Sequence, residues 1–204
     1  MKAAIITGAS VGIGQAAAQL FLDDGFEVYN LSRRDCPLPG VHNIGCDLAS
    51  VESVTQATTT LATAVAACDS VTIVYNASQM RKDSADACSS DDMRAVLETN
   101  VVAVNSINQV LIPLLPPASS ILYIGSTLSE KAVASSFSYV VSKHAQLGMM
   151  RATCQDLMGK GIHTALICPG FTDTEMLRTH IGNDPDVVQA IGNMNSFGRL
   201  IEPG

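Results

Sequence analysis

Thr7-Gly8-Ala9-Ser10-Val11-Gly12-Ile13-Gly14 follows a short apolar run over 2–6 and opens a helix-like stretch at about 13–24. Three glycines permit a tight turn, close approach of backbone to a pyrophosphate, and packing of the helix on the strand. The start of that helix offers free N–H groups and the positive end of a dipole to phosphate. The spacing is Gly-x-x-x-Gly-x-Gly, not Gly-x-Gly-x-x-Gly, so by itself the loop is also compatible with a plain turn. The elements around it decide.

Further apolar, partly β-branched runs lie at 26–32, 71–75, 120–125 and 162–168, with a weaker one at 41–45. Such runs suit strands buried on both faces of a parallel sheet. Between them, helical patterns occupy about 50–67, 91–111 and 138–159, with Gly25 and Gly161 placed as helix stops and Pro113 just after the third. The alternation predicts an α/β fold: one doubly wound parallel sheet with helices on both faces and right-handed crossovers, one domain over 1–204. After Pro169-Gly170 the chain turns polar and glycine-rich, and 175–197 reads as a mobile substrate lid or an ordinary surface excursion.

The chain has 204 residues, a hydrophobic fraction of 47%, net charge −7 and a pI near 4.9. That balance argues against a nucleic-acid surface. No apolar run approaches the roughly 18 residues of a membrane span, and the N-terminus does not read as a secretory signal. The six cysteines show neither Cys-x-x-Cys spacing nor clustering with histidine, so no metal site is expected and reduced thiols in a cytoplasm are.

At the end of the second strand stand Ser32-Arg33-Arg34, where an acidic residue would hold a ribose 2′-hydroxyl and arginine a 2′-phosphate. Arg33 offers a planar donor fork, which favours NADP(H), with NAD(H) as the alternative; a solvated basic pair beside Asp35 is the plainer reading. Tyr139-Val-Val-Ser-Lys143 places a phenol and an ammonium one turn apart on one helix face. A nearby cation favours phenolate, so the tyrosine pKa is expected to fall from about 10 by roughly 1–3 units, making a general acid/base. His144, beside Lys143, faces elsewhere on the helix and is read as structural.

Taken in order, these residues resemble the short-chain dehydrogenase/reductase family in its single-domain, Rossmann-like form. Thr7-Gly8-x-x-x-Gly12-Ile13-Gly14 is similar to its cofactor loop, which assigns Gly8, Ser10, Gly12, Ile13 and Gly14 to cofactor binding. Asp47 and Leu48 resemble the pair beside the adenine ring. Tyr75-Asn76-Ala77-Ser78 resembles Asn-Asn-Ala-Gly, assigning Asn76 and Ala77 to the cofactor but departing at Tyr75 and Ser78. Asn100, Ser126, Tyr139 and Lys143 follow in family order, Ser126 thirteen positions before Tyr139. Pro169-Gly170-Phe171-Thr172-Asp173-Thr174 is similar to the stretch that holds the nicotinamide carboxamide through Pro169, Gly170, Thr172 and Thr174.

The resemblance implies hydride transfer between a nicotinamide cofactor and a carbonyl or alcohol. Tyr139 is then the acid/base and Lys143 its cation, also bonding the nicotinamide ribose. Ser126 binds the substrate oxygen, and Asn100 holds a water linking Lys143 to solvent. Specificity is expected from the region between Thr174 and Arg199 and from residues around 128–137, with Met176, Leu177, Ile181 and Met194 as apolar contacts and a small neutral carbonyl as substrate. A carrier-bound 3-oxoacyl group and a non-catalytic dinucleotide sensor are the alternatives. The resemblance further implies a homodimer or homotetramer, and a last helix and strand beyond Gly204.

Overall fold

A computed structural model describes residues 1–204. The apolar runs form six parallel strands: β1 (Lys2–Thr7), β2 (Glu27–Ser32), β3 (Val41–Gly45), β4 (Ser70–Tyr75), β5 (Ser120–Ile124) and β6 (His163–Ile167), ordered β3-β2-β1-β4-β5-β6. Crossover helices are α1 (Gly12–Asp23), α2 (Val51–Ala66) and α5 (Phe137–Asp156); β4 reaches β5 through α3 (Ser90–Leu97), a π-helical turn (Glu98–Val102) and α4 (Ala103–Leu111). The expected elements are all present, the last long helix ending at Asp156 rather than 159. Along β1, Ala3 and Ile5 join a core with α2 and α4 residues such as Leu61 and Ile107, while Ala4 and Ile6 join a second with Ala18 of α1. That period-two split explains an uninterrupted apolar run, since both faces of the strand are covered.

The chain order reverses between β1 and β4, which places the switch-point crevice beyond their carboxyl ends. Thr7 pairs in register with Tyr75 there. Tyr75 turns into the core: its hydroxyl donates to Asn108 Oδ1 at 2.7 Å, and Asn108 Nδ2 donates to the Tyr123 hydroxyl at 3.2 Å. Its departure from the family asparagine is therefore absorbed by a buried polar network rather than by the crevice. The stretch Ser90–Leu114 is long and apolar enough by composition to cross a membrane. In the fold Val96, Ala103, Ile107 and Leu111 along it are fully buried against the sheet core.

The segment 175–197, read as a lid or a surface excursion, carries helical structure that the sequence did not show. It forms α6 (Glu175–Ile181) and α7 (Pro185–Gly192), capped by the side chains of Thr174 and Asp184. Both are too short to show a helical period in sequence, which is why they were not legible. Beyond them the chain returns to the crevice: Ile201 N–H donates to the Phe171 carbonyl and Asp173 N–H to the Ile201 carbonyl.

Candidate active site

The crevice opens as a cleft of about 1170 Å³. Gly8 and Gly12 adopt φ values of +72° and +59°, which only glycine takes without strain. The loop is pinned from three sides. Ala9 N–H donates to Asn30 Oδ1 on β2, Asn76 Nδ2 donates to the Thr7 and Gly8 carbonyls, and Asn76 and Ala77 N–H groups share Thr7 Oγ1. Val11 starts α1 without any side-chain cap, so the first helical N–H groups have no side-chain acceptor. A Cβ at Gly14 would lie 2.3 Å from the Gly8 carbonyl oxygen, so Gly14 serves the close packing of helix under loop.

These features fit a dinucleotide. The amides at the helix start suit a pyrophosphate. Ser78 Oγ is buried on the cleft wall without a protein partner, so the serine that replaces the family glycine presents an unused donor and acceptor. Ser32, Arg33, Asp47 and Leu48 line the same cleft, as do Asn76, Ala77, Pro169, Gly170, Thr172 and Thr174. Asp47 is exposed, with Oδ1 accepting from Ala49 N–H at 3.0 Å. Arg34, not singled out from sequence, makes a two-pronged pair with Glu175 at 3.2 and 3.1 Å, while Arg33 makes no ion pair. Thr174 is less free than expected: its hydroxyl accepts from Leu177 N–H as the cap of α6.

Tyr139, Lys143 and Ser126 come together on the wall of the same cleft. Ser126 ends the turn after β5 and caps a 3-10 turn (Thr127–Ser129), its hydroxyl accepting from Leu128 N–H at 3.1 Å. Lys143 is 2% exposed, its ammonium donating to the Ile124 carbonyl at 2.8 Å and Gln146 Oε1 at 2.9 Å. It lies 5.4 Å from the Tyr139 ring centroid.

One sequence expectation is corrected here and another extended. The Tyr139 pKa is not lowered: burial pushes it up to about 12, with the neighbouring Ser126 opposing. Burial likewise pushes Lys143 down to about 7, partly countered by Cys168. Desolvation dominates at both groups, and the phenol is protonated at neutral pH. The extension concerns Asn100, which is wholly buried behind the cleft in the π-helical turn. Its side chain holds the Gln79 backbone at both N–H and carbonyl and donates to Ser142 Oγ. Its main-chain carbonyl is joined to Lys143 by the Gln146 side chain, a link the sequence reading did not include.

Among the specificity residues, Met176, Leu177 and Met194 line the cleft and Ile181 does not. Arg178 is committed to Asp173 at 2.6 and 2.7 Å. His144 lies exposed, its Nδ1 3.0 Å from the Val140 carbonyl. Sequence reasoning also missed Gln79, Gln146 and His180; His180 lines the cleft with Nε2 buried and unpartnered. For Gln146 a signal existed, since 139, 143 and 146 share one helix face.

A lysine whose pKa falls on folding binds its proton more weakly in the native state than in the unfolded chain. Its burial penalty is complete below about pH 7 and relieved as pH rises towards the unfolded value of 10.5. Unfolding free energy is therefore expected to rise with pH across that window more steeply in the wild type than in Lys143→Met. Urea titrations of both at several pH values check this; parallel slopes would refute it.

The short chain dehydrogenase family model matches residues 2–184. The chain belongs to the short-chain dehydrogenase family. It is 29% identical over 186 residues to carbonyl reductase family member 4 of Danio rerio, covering 86% of this chain and 77% of that protein. It is 25% identical over 213 residues to the 3-oxoacyl-[acyl-carrier-protein] reductase FabG of Vibrio harveyi, covering 99% and 85%. Among solved structures, the RhlG/NADP active-site complex of Pseudomonas aeruginosa superposes with a TM-score of 0.85 at 27% identity, covering 99% of this chain and 84% of that one. The ligand-free aldohexose dehydrogenase of Thermoplasma acidophilum, at 24% identity and a TM-score of 0.89 with 99% and 82% covered, shares the fold. The homologues are oxidoreductases, and an enzyme of that class is what the family membership supports.

Proposed function

We propose that this member is an NADP(H)-dependent oxidoreductase that interconverts a small neutral ketone or aldehyde and its alcohol. One observation carries the reading: a buried, protonated Tyr139 and a buried Lys143 stand with Ser126 in the same cleft as the glycine cradle. A nicotinamide dinucleotide, when bound, supplies or accepts the hydride. The chain's own residues do the rest. Gly8, Gly12 and the start of α1 would hold the pyrophosphate, and Ser32 and Arg33 the adenosine end. Tyr139 gives its proton to the substrate oxygen in reduction, and Ser126 donates a second hydrogen bond to that oxygen as charge develops. The pocket over this end is walled by Leu128, Val133, Met176 and Met194. With Arg178 paired to Asp173, a neutral substrate suits it.

Arg33 supports NADP(H): it is the guanidinium left uncommitted, since Glu175 occupies Arg34. Arg33→Ala is expected to weaken NADPH binding by about tenfold or more while sparing NADH, as loss of a charge-assisted bond to phosphate would. Fluorescence titration with both nucleotides checks this, and equal losses would overturn the phosphate assignment. The function itself is tested by NADPH oxidation against a panel of ketones and aldehydes. No turnover with any of them would sink it.

A carrier-bound 3-oxoacyl substrate is the second reading, favoured by the relatives of that activity and by Lys131 on the cleft wall. Net charge −7 opposes docking of an acidic carrier. Faster reduction of a carrier-bound than of a free 3-oxoacyl thioester would establish it.

A further inference from the structure

Tyr139, Lys143 and Gln146 occupy positions i, i+4 and i+7 of α5 and so share one face. Gln146 is wholly buried, and both ends of its amide are used: Oε1 accepts from the Lys143 ammonium at 2.9 Å, and Nε2 donates to the Asn100 carbonyl at 2.8 Å. That carbonyl lies in the π-helical turn, where the regular ladder of the helix is interrupted. The orientation is unique. Turning the amide over would set N–H against ammonium and oxygen against carbonyl.

We propose that Gln146 is a positioning residue of the reaction: its amide clamps the Lys143 side-chain nitrogen to the Asn100 carbonyl and fixes where that nitrogen stands beside Tyr139. This rests on the carbonyl-reduction reading above.

The groups facing Lys143 are few. Tyr139 comes from its own helix, the Ile124 carbonyl from β5, the Asn100 carbonyl through Gln146, and Cys168 from beyond β6; no carboxylate acts on it. Gln146 is thus the side chain through which the ammonium can be tuned independently of Tyr139.

The experiment titrates the Lys143 side-chain nitrogen by NMR in the ligand-free protein, in the wild type and in Gln146→Glu and Gln146→Met. A carboxylate at this position should raise the Lys143 pKa by about one unit or more. The isosteric thioether removes an acceptor and should lower it. In Gln146→Met, kcat for the carbonyl should fall by about 10- to 100-fold, the loss of one hydrogen bond to a charged group, with KM nearly unchanged. A residue that only fills space would lower the melting temperature and leave the titration where it was. An unmoved Lys143 pKa in Gln146→Glu overturns the clamp, even where Gln146→Met fails to fold. A shifted pKa with unchanged kcat in Gln146→Met overturns the role in the reaction. Failure of the reading beneath it looks different: the wild type then reduces no carbonyl, while the titration still reports the clamp.

Discussion

Tyr139→Phe is expected to lose about 10²–10⁴-fold in kcat for carbonyl reduction, the range that removal of a positioned proton donor produces. The ring is 8% exposed and packs along α5, so phenylalanine keeps its contacts and the fold should hold. What disappears is the hydroxyl, held protonated by burial at a pKa of about 12. Ser126 cannot substitute, because its aliphatic hydroxyl is no more acidic than the alcohol being formed. Single-turnover NADPH oxidation, alongside NADPH affinity and melting temperature, separates the outcomes. Retained turnover with unchanged affinity would remove Tyr139 from the chemistry. Loss of affinity together with turnover would place its role in binding.

Gly14→Ala is expected to damage the protein from the other end of the cleft. The added methyl would meet the Gly8 carbonyl oxygen at 2.3 Å and Asn76 Nδ2 at 2.5 Å. Neither can retreat freely. The carbonyl belongs to a residue held at positive φ, and the amide is tied to Thr7 and Gly8 by bonds of 3.0 and 2.9 Å. Overpacking of this kind costs about 1–3 kcal/mol, and here it displaces the loop that would carry phosphate. Both the melting temperature and the affinity for NADPH should fall, the second by at least tenfold. A variant that keeps wild-type affinity would show that the loop does not hold the nucleotide.

How far the sequence reached can be followed through particular residues. Gly8, Gly12 and Gly14 stated their purpose in advance, because positive φ and close approach admit no other residue. The four-residue spacing of Tyr139 and Lys143 likewise fixed a shared face. The strands were legible because burial on two sides leaves an unbroken apolar run. α6 and α7 were not, since their stability comes from caps at Thr174 and Asp184 and from docking against the cleft. For Asn100 the link to Gln146 was not foreseen. Nothing in its local sequence says that a π-helical turn carries it, or that Gln146 reaches its carbonyl from another helix.

By itself, then, the sequence determined the parallel sheet, the glycine cradle, the order of the site residues and the family they belong to. These follow from periodicity, backbone freedom and short-range spacing, all properties of neighbouring residues. The tertiary structure decided the charges. How deeply Tyr139 and Lys143 lie, that Glu175 occupies Arg34 and leaves Arg33 free, and that an amide stands between Lys143 and Asn100 are all set by distant segments. Desolvation and hydrogen bonding depend on every group that surrounds an atom, and those groups come together only when the chain is folded.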